Sequence, residues 1–251
     1  TPGLAVQGGA TLTVQPDVVV KFMSPSSGLT VYGTLLSQGL EASPVYFTSY
    51  QDDSAGGDTN GDGSASSPAP GDWNKVYIAH GYNASATFEH SVIIYGGGSG
   101  SNSEEYANIR GAGNATVTLR NSEVRNSAGH GVSMNTPGYN SATASLTVES
   151  CTIADNALDG ILMTNASGRN NLTVTNSSIT QNGSDGIWIN YPLALAVTGS
   201  AFNSNGSYAM SLHLDWEIEY SQVHGNVASG NGYNDAIYLS GKLSGSSVLP
   251  N

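Results

Sequence analysis

From residue 116 onward the apolar positions fall into columns. The segments TVTLRNSEVRNSAGHGVSM (116–134), SLTVESCTIADNALDGILM (145–163), NLTVTNSSITQNGSDGIWI (171–189), LAVTGSAFNSNGSYAMSL (195–212) and SQVHGNVASGNGYNDAIYL (221–239) align as five copies. One column is Leu119, Val148, Val174, Val197 and Val223, at steps of 29, 26, 23 and 26 residues. Five positions later stand Val124, Ile153, Ile179, Phe202 and Ala228. A third column holds Val132, Ile161, Ile187, Met210 and Ile237, and two positions on come Met134, Met163, Ile189, Leu212 and Leu239. Alternation such as Leu146-x-Val148 and Ile161-x-Met163 is the period-two pattern of a strand with one buried face. Gly, Asn and Ser interrupt these runs, which predicts strands of three to five residues. The spacings of three and four that mark a helix are missing.

Short strands in a repeat of about 25 residues predict a solenoid of parallel coils, two or three strands to a coil. Equivalent residues would then stack about 4.8 Å apart, and each column becomes a ladder filling a narrow core. Asn156, Asn182, Asn205 and Asn231 form a column in the turns. Asparagine tolerates left-handed backbone, and its amide can hydrogen-bond along a stack. Upstream the pattern loosens: Phe88 and Ile93 repeat the spacing of Leu119 and Val124, while Leu12-Thr-Val14 and Leu29-Thr-Val31 read as earlier strands. Two excursions interrupt this half, residues 50–74 and 96–107. The chain is expected to be one all-β domain, 1–251, a single-stranded parallel β-helix with coils of 23–29 residues.

The phrases GATLTVQPDVVVKF (9–22), LTVYGTLLSQG (29–39), PVYFTSYQDD (44–53), GDTNGDGSASSPAPGDW (57–73), FEHSVIIYGGG (88–98) and LRNSEVRNSAGHGVSM (119–134) carry a resemblance. The chain resembles the right-handed parallel β-helix modules of large bacterial surface and secreted proteins, over nearly its whole length. Handedness is implied by that resemblance alone. LSGKLSGSSVLPN (239–251) looks like material preceding a fresh module, and TPGLAVQGGATLTVQP (1–16) like the continuation of such a joint. The ends of a β-helix expose unpaired edges, so end-to-end contact with a tandem copy or another subunit is expected.

Composition narrows the possible partners. The net charge is −12 with only seven Lys and Arg, so nucleic acid and anionic membranes are repelled and divalent cations attracted. Only 10% of residues are charged; Gly, Ser, Thr and Asn carry the polarity instead, which disfavours helices. The single cysteine, Cys151, allows no internal disulfide and reads as a core thiol. No run has the length of a membrane span. The acidic, hydroxyl-rich, low-lysine chain suggests an extracellular or cell-surface setting. Sequons occur at Asn83, Asn114, Asn165, Asn171, Asn176, Asn182 and Asn205.

The chemistry concentrates in GGDTNGDGSASSPAPGDW (56–73). Asp58-Thr-Asn60-Gly-Asp62-Gly63 matches the start of an EF-hand-type calcium loop, whose oxygens at alternate positions converge on one ion. Ala69 stands where that loop has its bidentate Glu, so an EF-hand is excluded. Closure is instead expected from Asp72, or from Asp52 and Asp53, with Ser64 supplying its carbonyl. A second polar column, His130, Asp159, Asp185, Tyr208 and Asp235, precedes the third apolar column by two residues. Its Asp-Gly pairs suit turns; Asp159, Asp185 and His130 are also the only candidates for catalysis or a second metal.

Lyase chemistry implies a basic residue beside calcium, and the candidates are Lys75, Arg110, Arg120, Arg125 and Arg169, of which Arg120 and Arg125 read as partners of neighbouring acids. Thr118, Thr147 and Thr173 form an outward ladder with Trp188 on an outward position, and Trp73, Trp216 and several Tyr offer sugar-stacking faces. The expected function is a non-enzymatic extracellular rod, stabilised by Ca2+, stacking end to end in a fibre or larger surface protein. The alternative is a polysaccharide-binding or polysaccharide-processing module, betrayed by a lateral groove with Trp or Tyr beside carboxylates.

Overall fold

The computed structural model describes residues 3–81, 83–98, 106–136, 142–165, 169–214 and 220–241. These residues form 25 strands and no helix. The strands recur in a fixed order and assemble three parallel sheets of nine, eight and eight strands. Sheet A runs from Leu4–Val6 to Asn234–Gly241, sheet B from Thr11–Val14 to Tyr220–His224, and sheet C from Val19–Phe22 to Val227–Ser229. Eight coils each contribute one strand to each sheet, and Asn234–Gly241 adds a ninth strand to sheet A, so the fold is an all-β parallel solenoid with a three-sided cross-section.

The register reproduces the apolar columns. Leu119 pairs Val148, which pairs Val174, then Val197 and Val223, and Phe88 precedes Leu119 in the same line. Val124, Ile153, Ile179, Phe202 and Ala228 form the sheet C column, with Ile93 before them. The third and fourth columns stack in sheet A. Nearly all these side chains are buried. Each aliphatic one contributes about 1.5–3 kcal/mol relative to exposure. Many strands are longer than expected: Thr143–Glu149, Arg169–Thr175 and Tyr208–Leu214 have seven residues each. Parallel pairing continues across polar residues read as breaks: Asn171, Thr173 and Thr175 are outward positions, and the buried Asn170 lies in phase with Leu172 and Val174.

Two hydrogen-bonded ladders close the corners. At the corner from sheet C to sheet A, Asn156 Nδ2 donates to Asn182 Oδ1 (2.9 Å), Asn182 to Asn205 and Asn205 to Asn231 (3.0 Å each). The left-handed duty expected of these asparagines falls on the residue before each: Asp155, Gln181, Ser204 and Gly230 have φ of 55, 56, 56 and 68°. A ladder the sequence reading missed lies between sheets B and C. Backbone N of Ser91 donates to Ser122 Oγ, that of Ser122 to Cys151 Sγ, that of Cys151 to Ser177 Oγ, and that of Ser177 to Ser200 Oγ. Each side chain in turn donates to the carbonyl two residues back, as Ser177 does to Thr175 (2.8 Å) and Cys151 to Glu149 (3.1 Å). Cys151 is therefore one rung of a serine ladder, and burial pushes its thiol pKa up to about 11.

Both excursions leave the corner between sheets C and A. The first spans the gap from Val45–Ser49 to Val76–Ile78, and the second that from Ser91–Ile94 to Ala107–Ala112, so Ala107 is already strand. Their described parts hold each other: Gly98 N donates to Trp73 O (2.7 Å) and Gly71 N to Tyr95 O (3.1 Å).

Candidate functional site

The first excursion is pinned at its base by two of the acids. Asp52 is buried and accepts from Thr48 Oγ1 (2.6 Å), Ser54 Oγ and Ser54 N. Asp72 Oδ2 accepts from Ser49 Oγ (2.7 Å) and Ala69 N (2.9 Å). Trp73, at the return point, is fully buried, stacks on Phe22 at 4.3 Å, and donates Nε1–H to Ile94 O at 2.8 Å. It is a core residue, and its expected availability to a sugar is corrected here: the insertion needs a large apolar plug where a regular coil would have a short turn.

The tip is organised by Asp58. Its Oδ1 accepts from Gly61 N (2.7 Å) and Asp62 N (3.2 Å), and its Oδ2 from Gly63 N (2.9 Å). Gly61 and Gly63 both have φ of 73°, a conformation that glycine adopts without strain. The amide of Gly63, with those of Gly61 and Asp62 and the charge of Lys21, holds the Asp58 carboxyl below the usual range despite the opposing effect of desolvation. Lys21 Nζ also donates to Gly57 O (2.7 Å). Asn60 Nδ2 donates to Asp62 Oδ2 (3.0 Å) and Ser66 Oγ (2.8 Å), and Ser64 is exposed.

Three of the seven expected ligands converge. Carboxylate oxygens of Asp53, Asp58 and Asp62 lie within 4.8 Å of one another. Asp53 Oδ1 is buried and has no hydrogen-bond partner among the described residues. A buried, unpartnered carboxylate oxygen beside two more carboxylates fits a hard divalent cation of the Ca2+ type, which takes all-oxygen ligands. Asp52 and Asp72 hold the loop's base instead. The adjacent Asp52 and Asp53 thus part company: Asp52 meets Thr48 and Ser54 at the base, and Asp53 meets Asp58 and Asp62 at the tip.

The polar column beside sheet A is hydrogen-bonded from coil to coil. Nδ1 of His130 lies 3.2 Å from both the backbone N and Oδ2 of Asp159. It accepts the amide hydrogen when unprotonated and pairs with the carboxylate when protonated. Asp159 Oδ1 accepts from Asp185 N (2.8 Å), and Asp185 Oδ1 from Tyr208 N (2.9 Å). Burial raises the Asp185 pKa, the Asp159 charge adds to that, and hydrogen bonds from Ser211 and Tyr208 and the nearby His213 oppose it. Asp235 falls at a register irregularity after Tyr208. It leaves this column and caps the asparagine ladder, accepting from Asn231 N and Nδ2 (2.9 Å each), which lower its pKa.

Trp188 does face outward, between Leu162 and Ser211 in the register of sheet A. A groove of about 350 Å³ runs beside it, lined by His130, Leu158, Asp159, Leu162, Thr164, Ser184 and Trp188. Trp188 meets His213 at a tilt of 38° (4.6 Å between centroids), His213 meets Tyr238 (5.7 Å), and Tyr238 meets Tyr208 (5.3 Å). Leu162, Thr164, His213 and Tyr238 were missed from the sequence. Their signal was available in the alternation of the strand: Leu162 and Tyr238 stand between the third and fourth apolar columns, and Thr164 and His213 one residue beyond the fourth, all at outward positions.

Other expectations resolve individually. Arg120 pairs with Glu149 (3.3 Å) and Arg125 with Glu123 (3.0 Å). Lys75 is buried, and Arg110 lies over the Tyr77 ring at 5.2 Å. Arg169 is exposed at the start of its strand. The threonine ladder gains Thr87 as a fourth rung before Thr118, Thr147 and Thr173. Among the sequons, Asn182 and Asn205 are buried ladder rungs closed to a glycan, whereas Asn83, Asn114 and Asn176 are exposed. Trp216 lies outside the described residues.

Neither a curated protein nor a solved structure matches the chain. The family model described as a right-handed beta helix region matches residues 106–248, the stretch of regular copies. With its three parallel sheets, stacked columns and this match over more than half its length, the chain belongs to the right-handed β-helix family.

Proposed function

We propose that the protein is a structural, non-enzymatic β-helix module of the extracellular space: a rod segment that continues by stacking coil on coil. The observation that carries this is the first coil. Leu4, Leu12, Val14, Val18, Val20, Phe22, Leu29 and Phe47 line an apolar cup of about 340 Å³, under strands whose outer edges have no partner among the described residues. Leu4 is 62% exposed there, and Val18 39%. Another coil of the same kind, from a second copy or a further repeat, would pair those edges and extend every column. At the last coil Val227, Ile237 and Leu239 are likewise exposed.

The excursion fits the same role. A Ca2+ ion held by Asp53, Asp58 and Asp62 would neutralise the clustered charge and fix the loop to the side of the rod. Low-affinity calcium loops suit extracellular modules, where the free ion is abundant. In support of a non-enzymatic reading, one oxygen each of Asp159 and Asp185 is engaged by a backbone amide of the next coil.

Sedimentation of the 251-residue chain over a range of concentrations tests the stacking. Concentration-dependent linear association is expected, abolished by Leu4→Lys with Val18→Glu. A monomer at every concentration, unchanged by those substitutions, would sink it.

A further inference from the structure

Three tyrosines meet on the surface where the last coils end. Tyr208 opens the strand Tyr208–Leu214, the eighth of sheet A. Tyr233 precedes and Tyr238 lies within the ninth, Asn234–Gly241. The Tyr208 ring is the common neighbour: its centroid is 5.5 Å from that of Tyr233, at a tilt of 41°, and 5.3 Å from that of Tyr238, at 32°. These are contact distances for aromatic rings. All three phenols are open to small reagents, since Tyr233 is 65% exposed, Tyr238 41%, and Tyr208 half-buried. All four phenylalanines are buried, so where this chain needs only an apolar ring it places one without a hydroxyl inside the core.

The position matters as much as the contact. Asn234–Gly241 is paired along one edge only among the described residues, and Val227, Ile237 and Leu239 are exposed beside it. A solenoid's terminal coil has one neighbour instead of two and is the first to fray. A covalent link from the eighth strand to the ninth would hold it. No disulfide can do this, because the single cysteine, Cys151, is buried in the serine ladder with its thiol pKa pushed up to about 11.

We propose that this cluster is an oxidative cross-linking site, at which Tyr208 couples to Tyr233 or Tyr238 as a dityrosine that staples the last strand of sheet A to the coil before it. The oxidant is of the peroxide class, acting through a haem peroxidase. It removes one hydrogen atom from each of two phenol O–H groups. The two phenoxyl radicals then form a C–C bond between carbons ortho to the oxygens. Each of those carbons passes its hydrogen to the phenol oxygen as the ring regains aromaticity. One hydrogen peroxide is reduced to two waters for each bond made. Rings already in contact need only a small side-chain rotation to bring ortho carbons together, so coupling within the chain outruns coupling between chains in dilute solution. The bond stabilises by restricting the unfolded chain, as any cross-link does.

The test treats the dilute intact chain with hydrogen peroxide and a haem peroxidase, isolates the monomer, and reads dityrosine fluorescence and peptide masses. The expected product is a monomer lighter by two hydrogens, with the Tyr208 peptide joined to that of Tyr233 or Tyr238. Its Tm should rise, and hydrogen exchange should slow in Asn234–Gly241. Tyr208→Phe keeps the ring and cannot form the radical, so it should abolish the monomer's dityrosine. Tyr233→Phe and Tyr238→Phe should each lower the yield and together abolish it. If Tyr208→Phe does not fold, the peptide masses of the unsubstituted chain still decide. A monomer without dityrosine overturns the proposal. So do cross-links only between chains, a joined pair that excludes Tyr208, or a yield that Tyr208→Phe leaves unchanged. The product is read in monomers, so this result and the sedimentation result can fail separately.

Discussion

The halves of the solenoid before and after Tyr106 share one coil design and are closed by different means. In the later half, identical side chains repeat at the corners. Asn156, Asn182, Asn205 and Asn231 satisfy each other and the buried backbone, one rung per coil. In the earlier half the corner between sheets C and A opens into excursions, and single residues do what the ladder does later. Trp73 plugs the core, Asp52 and Asp72 tie the loop's base, and Asn108 stands at the transition. Asn108 is fully buried, accepts from Gly96 N (2.7 Å) and donates to Arg125 O (2.8 Å), joining the two halves. A repeat distributes the work of satisfying buried polar groups over many equivalent rungs. An insertion concentrates it in a few irreplaceable residues.

The sharpest way to break this contrast is Trp73→Ala, expected to destabilise the earlier half by about 3–5 kcal/mol. Hydrogen exchange should show protection lost near residues 19–98 and largely kept in the strands from Thr143 to Leu214, since a solenoid couples mainly neighbouring coils. Equal loss in both halves would count against the concentration of stability in single residues.

Next in size is Asn182→Ala, at about 2–3 kcal/mol, because it strands the amide of Asn156 and the carbonyl of Ile153 in the interior. Its effect should spread to the coils on either side, which thermal melts combined with exchange would show.

Calcium should act on the earlier half alone. At a hundredfold excess over Kd the ion adds about 2.7 kcal/mol, read as a rise in Tm that a chelator reverses. Asp58→Asn and Asp62→Asn should each remove that rise. In the absence of calcium, the depressed Asp58 pKa contributes stability that is present above the ordinary aspartate range and lost as pH falls through the lower folded value.

Asp185 carries the opposite sign. Its folded pKa is raised, so its ionisation opposes folding as pH rises past the aspartate range. Asp185→Asn keeps an acceptor for Tyr208 N and should raise Tm at neutral pH, with the gain fading as pH falls below that range. A Tm difference independent of pH would show that burial does not govern this group.

The smallest expected effect is that of Cys151→Ser, within about 1 kcal/mol in an equilibrium melt, because serine fills every neighbouring rung of that ladder. A large loss would mean that the thiol's volume, and not its hydrogen bonds, holds the corner.

The sequence by itself determined the columns, the parallel stacking and the place of both excursions. Those features depend on spacing, and a repeat places equivalent residues one above another whatever the details of the corners. It also marked the loop at 56–73 as acidic and calcium-like. What only the tertiary structure decided was which acids meet. Asp53 turns toward Asp58 and Asp62 while its neighbour Asp52 turns toward Thr48, a choice made by the direction in which the loop folds back. The same holds for Trp73, which reads like Trp188 in composition but lies inside the barrel of coils, and for the groove, whose walls come from residues of three successive coils. Spacing fixes which residues share a column; only packing between coils and loops fixes what each side chain faces.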